Sequence, residues 1–242
     1  MTTPRIHTDQ ALAVGATVEL ESAAARHVSG ALRLQSGATI TLFNGSGGEF
    51  LAVIDSSDRK RVTVIPTEYN PREAESPLQV HLGIVMSRGE RMDWVVQKAT
   101  ELGVQSMTPL TSERCEVRLK QDRADKKILH WRQIARSACE QCGRNRVPDI
   151  GKILTLADWA DTSTAQLKLV LHHRSENSAL ESPAPSSVAL LIGPEGGLTE
   201  TEIQASERYG FLPLALGTRV LRTETAPLAA LAILQARWGD MN

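Results

Sequence analysis

The stretch Leu190-Leu191-Ile192-Gly193-Pro194-Glu195-Gly196-Gly197-Leu198-Thr199-Glu200-Thr201-Glu202-Ile203 restricts the fold of this chain more than any other. Its apolar start reads as the end of a fully buried strand. The Gly-Pro-Glu-Gly-Gly turn admits positive φ and the close approach of another backbone or a ligand. Thr199 and Glu202 have capping-box spacing, and Leu198 and Ile203 the spacing of a hydrophobic staple, so a helix starts at once. Strand, glycine turn and capped helix put free N–H groups at the carboxyl end of a strand, where open α/β sheets bind ligands. A tight βα connection with no ligand has the same local pattern. The turn has neither the Gly-x-Gly-x-x-Gly spacing nor the P-loop lysine, which argues against a dinucleotide or nucleoside triphosphate.

A second unusual stretch follows: Leu216-Gly217-Thr218-Arg219-Val220-Leu221-Arg222-Thr223-Glu224-Thr225-Ala226-Pro227. It comes after the apolar run Phe211 to Leu216 and before an Ala/Leu-rich helix, Pro227 to Trp238. Thr225 is placed to cap that helix, Pro227 suits its first turn and Gly239 stops it. Two arginines, a glutamate and three threonines crowd a loop that needed only to turn. A solvated polar loop is the alternative reading.

The rest of the chain falls into two grammars. Residues 1–70 read as all-β, with short apolar segments at Thr17–Leu20, Ala38–Phe43, Phe50–Ile54 and Val62–Ile65 and one helix at Ser22–Leu34. Asn44-Gly45-Ser46-Gly47-Gly48 is a hairpin signal, and the set suggests a small barrel. Residues 71–77 are polar and proline-flanked, a linker. From residue 78 to 242, strands and helices alternate: Val80–Met86, then the amphipathic Glu90–Leu102, Val104–Leu110, the long helix Ala124–Cys142, and the strand Leu167–His172. Repeated βα units imply a mostly parallel sheet flanked by helices.

The formal net charge of −1 says little about partners. Its distribution says more, because residues 113–152 carry net +5 and the segment from Ile153 onward net −4. A local basic segment fits a phosphate-contacting face, and a solvated helix face fits it too. Three cysteines are too few for a disulfide framework. Cys139 and Cys142 form a CxxC with no second Cys/His pair nearby, so no metal is expected. No run has the apolar length of a membrane span and the start of the chain has no apolar signal core, so the expectation is a cytoplasmic protein with no membrane partner.

Together the two unusual stretches resemble the signatures of the SPOUT-class RNA methyltransferases, and most closely the RsmE-type 16S ribosomal RNA uracil-N3 methyltransferases. The resemblance extends to Gly89-Glu90-Arg91-Met92-Asp93, Gln97-Lys98-Ala99-Thr100-Glu101-Leu102-Gly103, Ser112-Glu113-Arg114 and Glu140-Gln141-Cys142-Gly143-Arg144-Asn145-Arg146. It covers most of the chain from about Leu78 onward and the N-terminal part more loosely. It implies an α/β domain with a trefoil knot at its C-terminal end, preceded by a PUA-like RNA-binding β-barrel. It also implies S-adenosylmethionine as methyl donor, 16S ribosomal RNA of the small subunit as substrate, and a homodimer.

The donor pocket that the resemblance implies is built from three loops. The first is Leu171, His172 and His173. The second is Ile192, Gly193, Pro194, Glu195, Gly196 and Gly197. The third is Leu216, Gly217, Val220, Leu221, Arg222, Thr223, Thr225 and Ala226. Methylation of an imide nitrogen needs its proton removed and its negative charge stabilised. Arg219 and Arg222 suit the charge, Glu224 and Glu195 suit the proton, and His172 or His173 could titrate near neutrality. Arg5, His7 and Arg33 in the barrel, and Arg88, Arg91, Lys98, Arg144, Asn145 and Arg146 beyond it, are the expected RNA contacts. Two rival functions remain: a SPOUT enzyme acting on another RNA position, and a non-catalytic ribosome-assembly protein that binds RNA.

Overall fold

A computed structural model describes residues 3–58, 61–172, 180 and 183–241 of the 242. By internal contacts the chain forms two compact units. One comprises Met1–Glu75 and Cys139–Val147, the other Ser76–Ala138 and Pro148–Asn242. The sequence pattern ends the barrel at residue 70 and begins the second domain at 78. The structure carries the first unit on to Glu75 and adds a second segment from far along the chain, which linear composition cannot signal.

The first unit is a five-stranded sheet in the order β1-β3-β4-β5-β2. Its strands are β1 (Arg5–His7), β2 (Val18–Glu19), β3 (Thr39–Phe43), β4 (Glu49–Ser57) and β5 (Val62–Asn70). β1 runs parallel to β3 and the other pairs are antiparallel. β3 and β4 form the expected hairpin, and the Asn44 side chain accepts the N–H of Ser46 in its turn. Alternating residues fill the core: Ile40 and Leu42 from β3, Ala52 and Ile54 from β4, Val62 and Val64 from β5. The ladder between β4 and β5 shifts register between Leu51 and Ala52, and Pro66 pairs with Ala52 beside that irregularity, where a strand tolerates a residue without an N–H. The helix expected over residues 22–34 is a short α-turn, α1 (Ser22–Arg26), running into a π-turn over His27–Ala31. Gly30, a poor helix former, lies inside that π-turn.

The second unit is a seven-stranded parallel sheet in the order β12-β10-β11-β6-β7-β8, with β9 also paired to β7. The strands are β6 (Gln79–Val85), β7 (Ser106–Thr111), β8 (Asp149–Ile150), β9 (Leu154–Thr155), β10 (Leu167–Leu171), β11 (Ser187–Ile192) and β12 (Leu212–Leu214). The helices are α2 (Arg91–Glu101), α3 (Gln121–Cys142), α4 (Leu156–Thr162), α5 (Glu200–Arg208) and α6 (Ala226–Trp238). β6 and β11 are nearly all buried, the continuous apolar pattern of strands covered on both faces. α2 buries Met92, Val95, Val96 and Ala99, the face that the 3.6-residue period predicts. α6 buries Ala230, Leu231 and Leu234, and its buried Gln235 donates to Leu102 O and Gly103 O and accepts from Ser76.

Thr225 stands at the N-cap of α6 as expected, but its hydroxyl makes no capping bond. Pro227, one residue into the helix, has no N–H to offer it. β1, β8, β9 and α4 were not foreseen. Three of the four are strands of two or three residues, too short for periodicity to register.

Candidate functional site

Every strand pair in the larger sheet is parallel, so all strand carboxyl ends share one edge. Leu171 pairs with Leu214, Val170 with Leu191, and Ile192 with Ile84. The loops that follow β12, β10, β11 and β6 therefore leave the sheet side by side. This juxtaposes Leu171–His172, Gly193–Gly197 and Leu216–Ala226, the three loops singled out in the sequence, and adds Met86–Glu90. His172 continues the β10 ladder, its N–H donating to Leu214 O at 2.9 Å. His173 lies outside the described residues.

The glycine turn is fastened on several sides. Gly197 N donates to Pro194 O at 2.9 Å, and the capping box is complete, with Glu202 N donating to Thr199 Oγ1 and Thr199 N to Glu202 Oε2. The other oxygen of Glu202 accepts the backbone N–H of Glu113 at 2.8 Å. Arg114 Nη1 donates to Gly196 O at 2.9 Å. The Ser112-Glu113-Arg114 run thus holds the turn after β11. A Cβ on Gly193 would stand 2.9 Å from Leu198 Cγ, so glycine there lets Leu198 fold back over the strand end.

The loop after β12 is built differently. Gly217 has φ +82°, the left-handed region that glycine enters without strain. Among the described residues, the N–H groups of Gly217 to Arg222 meet no hydrogen-bond acceptor; bonding resumes where Thr225 N and Ala226 N donate to Arg222 O. Val220 is 85% exposed, Arg219 and Arg222 are exposed, Leu216 and Leu221 are half-buried, and Thr223 is buried. Ile192 is buried at its strand end and Pro194 is buried beside it, while Glu195, Gly196 and Gly197 are exposed. A loop of exposed backbone donors with an exposed aliphatic side chain is chemically suited to a ligand with polar edges and an apolar body.

The two loops meet through Arg91, at the start of α2. Its Nη1 donates to Glu195 Oε1 at 2.7 Å and its Nε stands 3.8 Å from Glu224 Oε2. Arg222 Nη1 lies 3.9 Å from the other oxygen of Glu224. Arg88 pairs with Glu116 at 3.0 Å. Arg88, Gly89, Glu90, Arg91, Trp94, Glu116, Glu195 and Glu224 line a cavity of about 940 Å³. Arg91, one of the expected RNA contacts, also ties these two loops together. Asp93, in the same Gly-Glu-Arg-Met-Asp run, received no role from the sequence. It accepts from Trp131 Nε1 at 2.9 Å and lies 2.7 Å from His130 Nε2, fixing α2 against α3.

The expected RNA contacts of the first unit are placed unevenly. Arg144 is 3% exposed and its guanidinium donates to both oxygens of Glu75, at 3.1 and 2.6 Å. Burial works against its charge, but the hydrogen bond and the charge of Glu75 outweigh it and raise its pKa. Asn145 is fully buried, its Oδ1 accepting from Arg5 Nη2 at 2.7 Å and its Nδ2 donating to Arg72 O at 2.6 Å. Arg5 also pairs with Glu49 and lies 4.9 Å from the Phe43 ring centroid. His7 is nearly buried, edge-on to Phe43, and its N–H donates to Glu140. These four, expected as RNA contacts, bind the Cys139–Val147 segment to the rest of the barrel unit. Arg144 and Asn145 have almost no surface left to offer. Arg33 and Arg146 are exposed, Arg146 standing 3.6 Å from Glu73. In the second unit Lys98 pairs with Glu101 at 2.8 Å.

Burial pushes the Cys139 thiol up to about 12, and it donates to Arg146 O. Among the described residues, no group of three His, Cys, Asp or Glu side chains could hold a metal ion, and no helix is long and apolar enough to cross a membrane.

Comparison with known proteins gives this architecture its context. The RNA methyltransferase domain family matches residues 74–235, and the RNA methyltransferase PUA domain family matches residues 20–67. The ribosomal RNA small subunit methyltransferase E of Buchnera aphidicola subsp. Schizaphis graminum is 35% identical, over 99% of this chain and 98% of its own. A methyltransferase of Legionella pneumophila, solved with bound S-adenosylmethionine, is 43% identical with a TM-score of 0.96, over 99% of this chain and 100% of that one. The ribosomal RNA small subunit methyltransferase E of Neisseria gonorrhoeae, solved with S-adenosylmethionine, is 38% identical with a TM-score of 0.94, over the full length of both chains.

Proposed function

The chain belongs to the RNA methyltransferase family, and from that premise we propose that it transfers a methyl group from S-adenosylmethionine to N3 of a uridine in 16S ribosomal RNA of the small subunit. The observation that carries this reading is the convergence of three unusual loops on the ends of adjacent parallel strands, β12, β10 and β11. The residues fit the donor. The unpaired N–H groups of Gly217 to Arg222 suit the polar edges of adenosine and methionine, the glycines at 196 and 197 leave room, and Leu216, Val220 and Leu221 offer apolar contact. Leu171, His172, Ile192, Gly193, Pro194, Thr223, Thr225 and Ala226 complete that loop set.

When bound, S-adenosylmethionine supplies an electrophilic methyl on a sulfonium. The work of this chain is to hold the acceptor nitrogen in line with it and to manage one proton. Holding both reactants in register lowers the barrier by about 7–11 kcal/mol at best. The neutral imide is a poor nucleophile, so its N3 proton must leave as the new bond forms. Glu195 and Glu224, held together in the cavity wall by Arg91, are the proton acceptors in this account. Arg219 and Arg222 lie exposed on the neighbouring loop and stabilise the negative charge that spreads onto the uracil oxygens.

Arg33 and Arg146 of the barrel unit, and Arg88 and Lys98 of the catalytic unit, are the RNA contacts of this reading. It includes a homodimer, a cytoplasmic setting and the trefoil knot. The knot comes from the resemblance to the SPOUT class.

The test is to incubate the protein with labelled S-adenosylmethionine and small subunits lacking the modification, digest the RNA and identify the labelled nucleoside. 3-Methyluridine supports the reading. Another methylated nucleoside moves the chain to a different RNA position. No label on RNA, with no donor binding by calorimetry, leaves only a non-catalytic role.

A further inference from the structure

We infer that the cavity over the start of α2 receives the target base and that Trp94 is the platform on which it stacks. The inference rests on the proposed methyltransferase reading and names the acceptor side of the same site.

The cavity shares walls with both donor loops. Glu195 belongs to the turn after β11 and Glu224 to the loop after β12, and both line it. A nucleophile must lie within about 3–3.5 Å of the group it attacks, so the acceptor needs a space that borders the donor loops. At about 940 Å³ this cavity has room for a nucleoside.

Its lining also has the chemistry of a base pocket. Trp94 is 51% exposed, an uncommon state for the largest aromatic side chain on a helix whose other face is packed. Splayed bases in RNA are held mainly by stacking on such rings. Lys98, one turn further along α2, stands 5.3 Å from the indole centroid, a cation–π contact that presets the ring. Arg91, one turn before, shares that face of the helix and carries Glu195 at 2.7 Å. A guanidinium donor beside a carboxylate acceptor matches two neighbouring groups on the imide edge of uracil, a carbonyl oxygen and N3–H. The base would thus lie with its face on Trp94 and its reactive edge toward the ion-paired carboxylates.

The test uses the full-length protein with Trp94→Ala and Trp94→Phe. The expected result for Trp94→Ala is unchanged S-adenosylmethionine binding by calorimetry and a KM for small subunits raised about tenfold or more, the size of one lost base–aromatic stack. Trp94→Phe should recover most of that loss. A short uridine-containing oligonucleotide should quench the tryptophan fluorescence of the wild type, and that part of the quench should vanish in Trp94→Phe. An unchanged KM in Trp94→Ala, or an undiminished quench in Trp94→Phe, overturns the inference. So does a change in sedimenting mass in Trp94→Ala, which would mean that a second copy of the chain covers the ring. Failure of the methyltransferase reading is distinct, because the wild type would then label no RNA.

Discussion

Arg144 and Arg91 both sit in long, specific sequence runs, both pair with glutamates, and they do opposite things. The Arg144 side chain is 4% exposed and its partner Glu75 is 17% exposed. They lie in a cluster with Arg5, Glu49 and Asn145 that is spent on joining a distant chain segment to a barrel strand. The Arg91 side chain is 43% exposed and stands in a cavity wall between two loops. A buried ion pair is rigid and costly to break, whereas a half-exposed one is inexpensive to rearrange around a ligand. Motif membership marks both arginines as important, and burial separates architecture from chemistry.

The comparison breaks most readily at the buried pair. Arg144→Met leaves Glu75 without its partner and should cost about 3–5 kcal/mol in urea unfolding of the full chain. A loss below about 1 kcal/mol would show that the cluster is not structural. Arg222→Ala and Arg219→Ala should leave unfolding unchanged and lower kcat about a hundredfold, the usual size for removing one donor to a developing anion. Normal turnover in both would take these arginines out of the mechanism. Thr199→Ala removes one capping bond at the start of α5 and should cost about 1 kcal/mol, with a weaker affinity for S-adenosylmethionine because the glycine turn loses its anchor.

The smallest effect is at His81, in the middle of the sheet, where burial pushes its pKa below the usual histidine value. The folded state therefore binds the proton less readily than the unfolded chain. Stability from this group is full above pH 6.5 and falls as the pH drops below it. His81→Gln should flatten that part of the stability–pH curve by at most about 1.4 kcal/mol per pH unit. An unchanged slope would place the titration elsewhere.

Much of this was legible in the sequence. The capping box at Thr199 and Glu202 announced α5, the apolar run before Gly193 announced β11, and the βα alternation announced a parallel sheet. Two of the loops that converge stood out by composition and turn chemistry; the loop that begins at Leu171 came from the family resemblance alone. What stayed hidden depends on distance in space. No local pattern says that Arg144, Asn145, Arg5 and Glu49 meet, since 139 residues separate Arg5 from Arg144. In the clamp on the glycine turn one partner of each bond is a backbone group, Glu113 N–H and Gly196 O, which any residue carries. Trp94 received no role from the sequence, and its exposure in the folded chain sets it apart.

The central claim is that the loops after β11 and β12 hold the methyl donor. Hydrogen exchange of the full chain, read by mass spectrometry with and without S-adenosylmethionine, tests it most directly. The amides of residues 217–222 meet no acceptor among the described residues, so they should exchange fast alone and become protected with the donor, together with those of residues 193–197. Unchanged exchange in both loops at saturating donor, or protection confined to another part of the chain, would contradict the account.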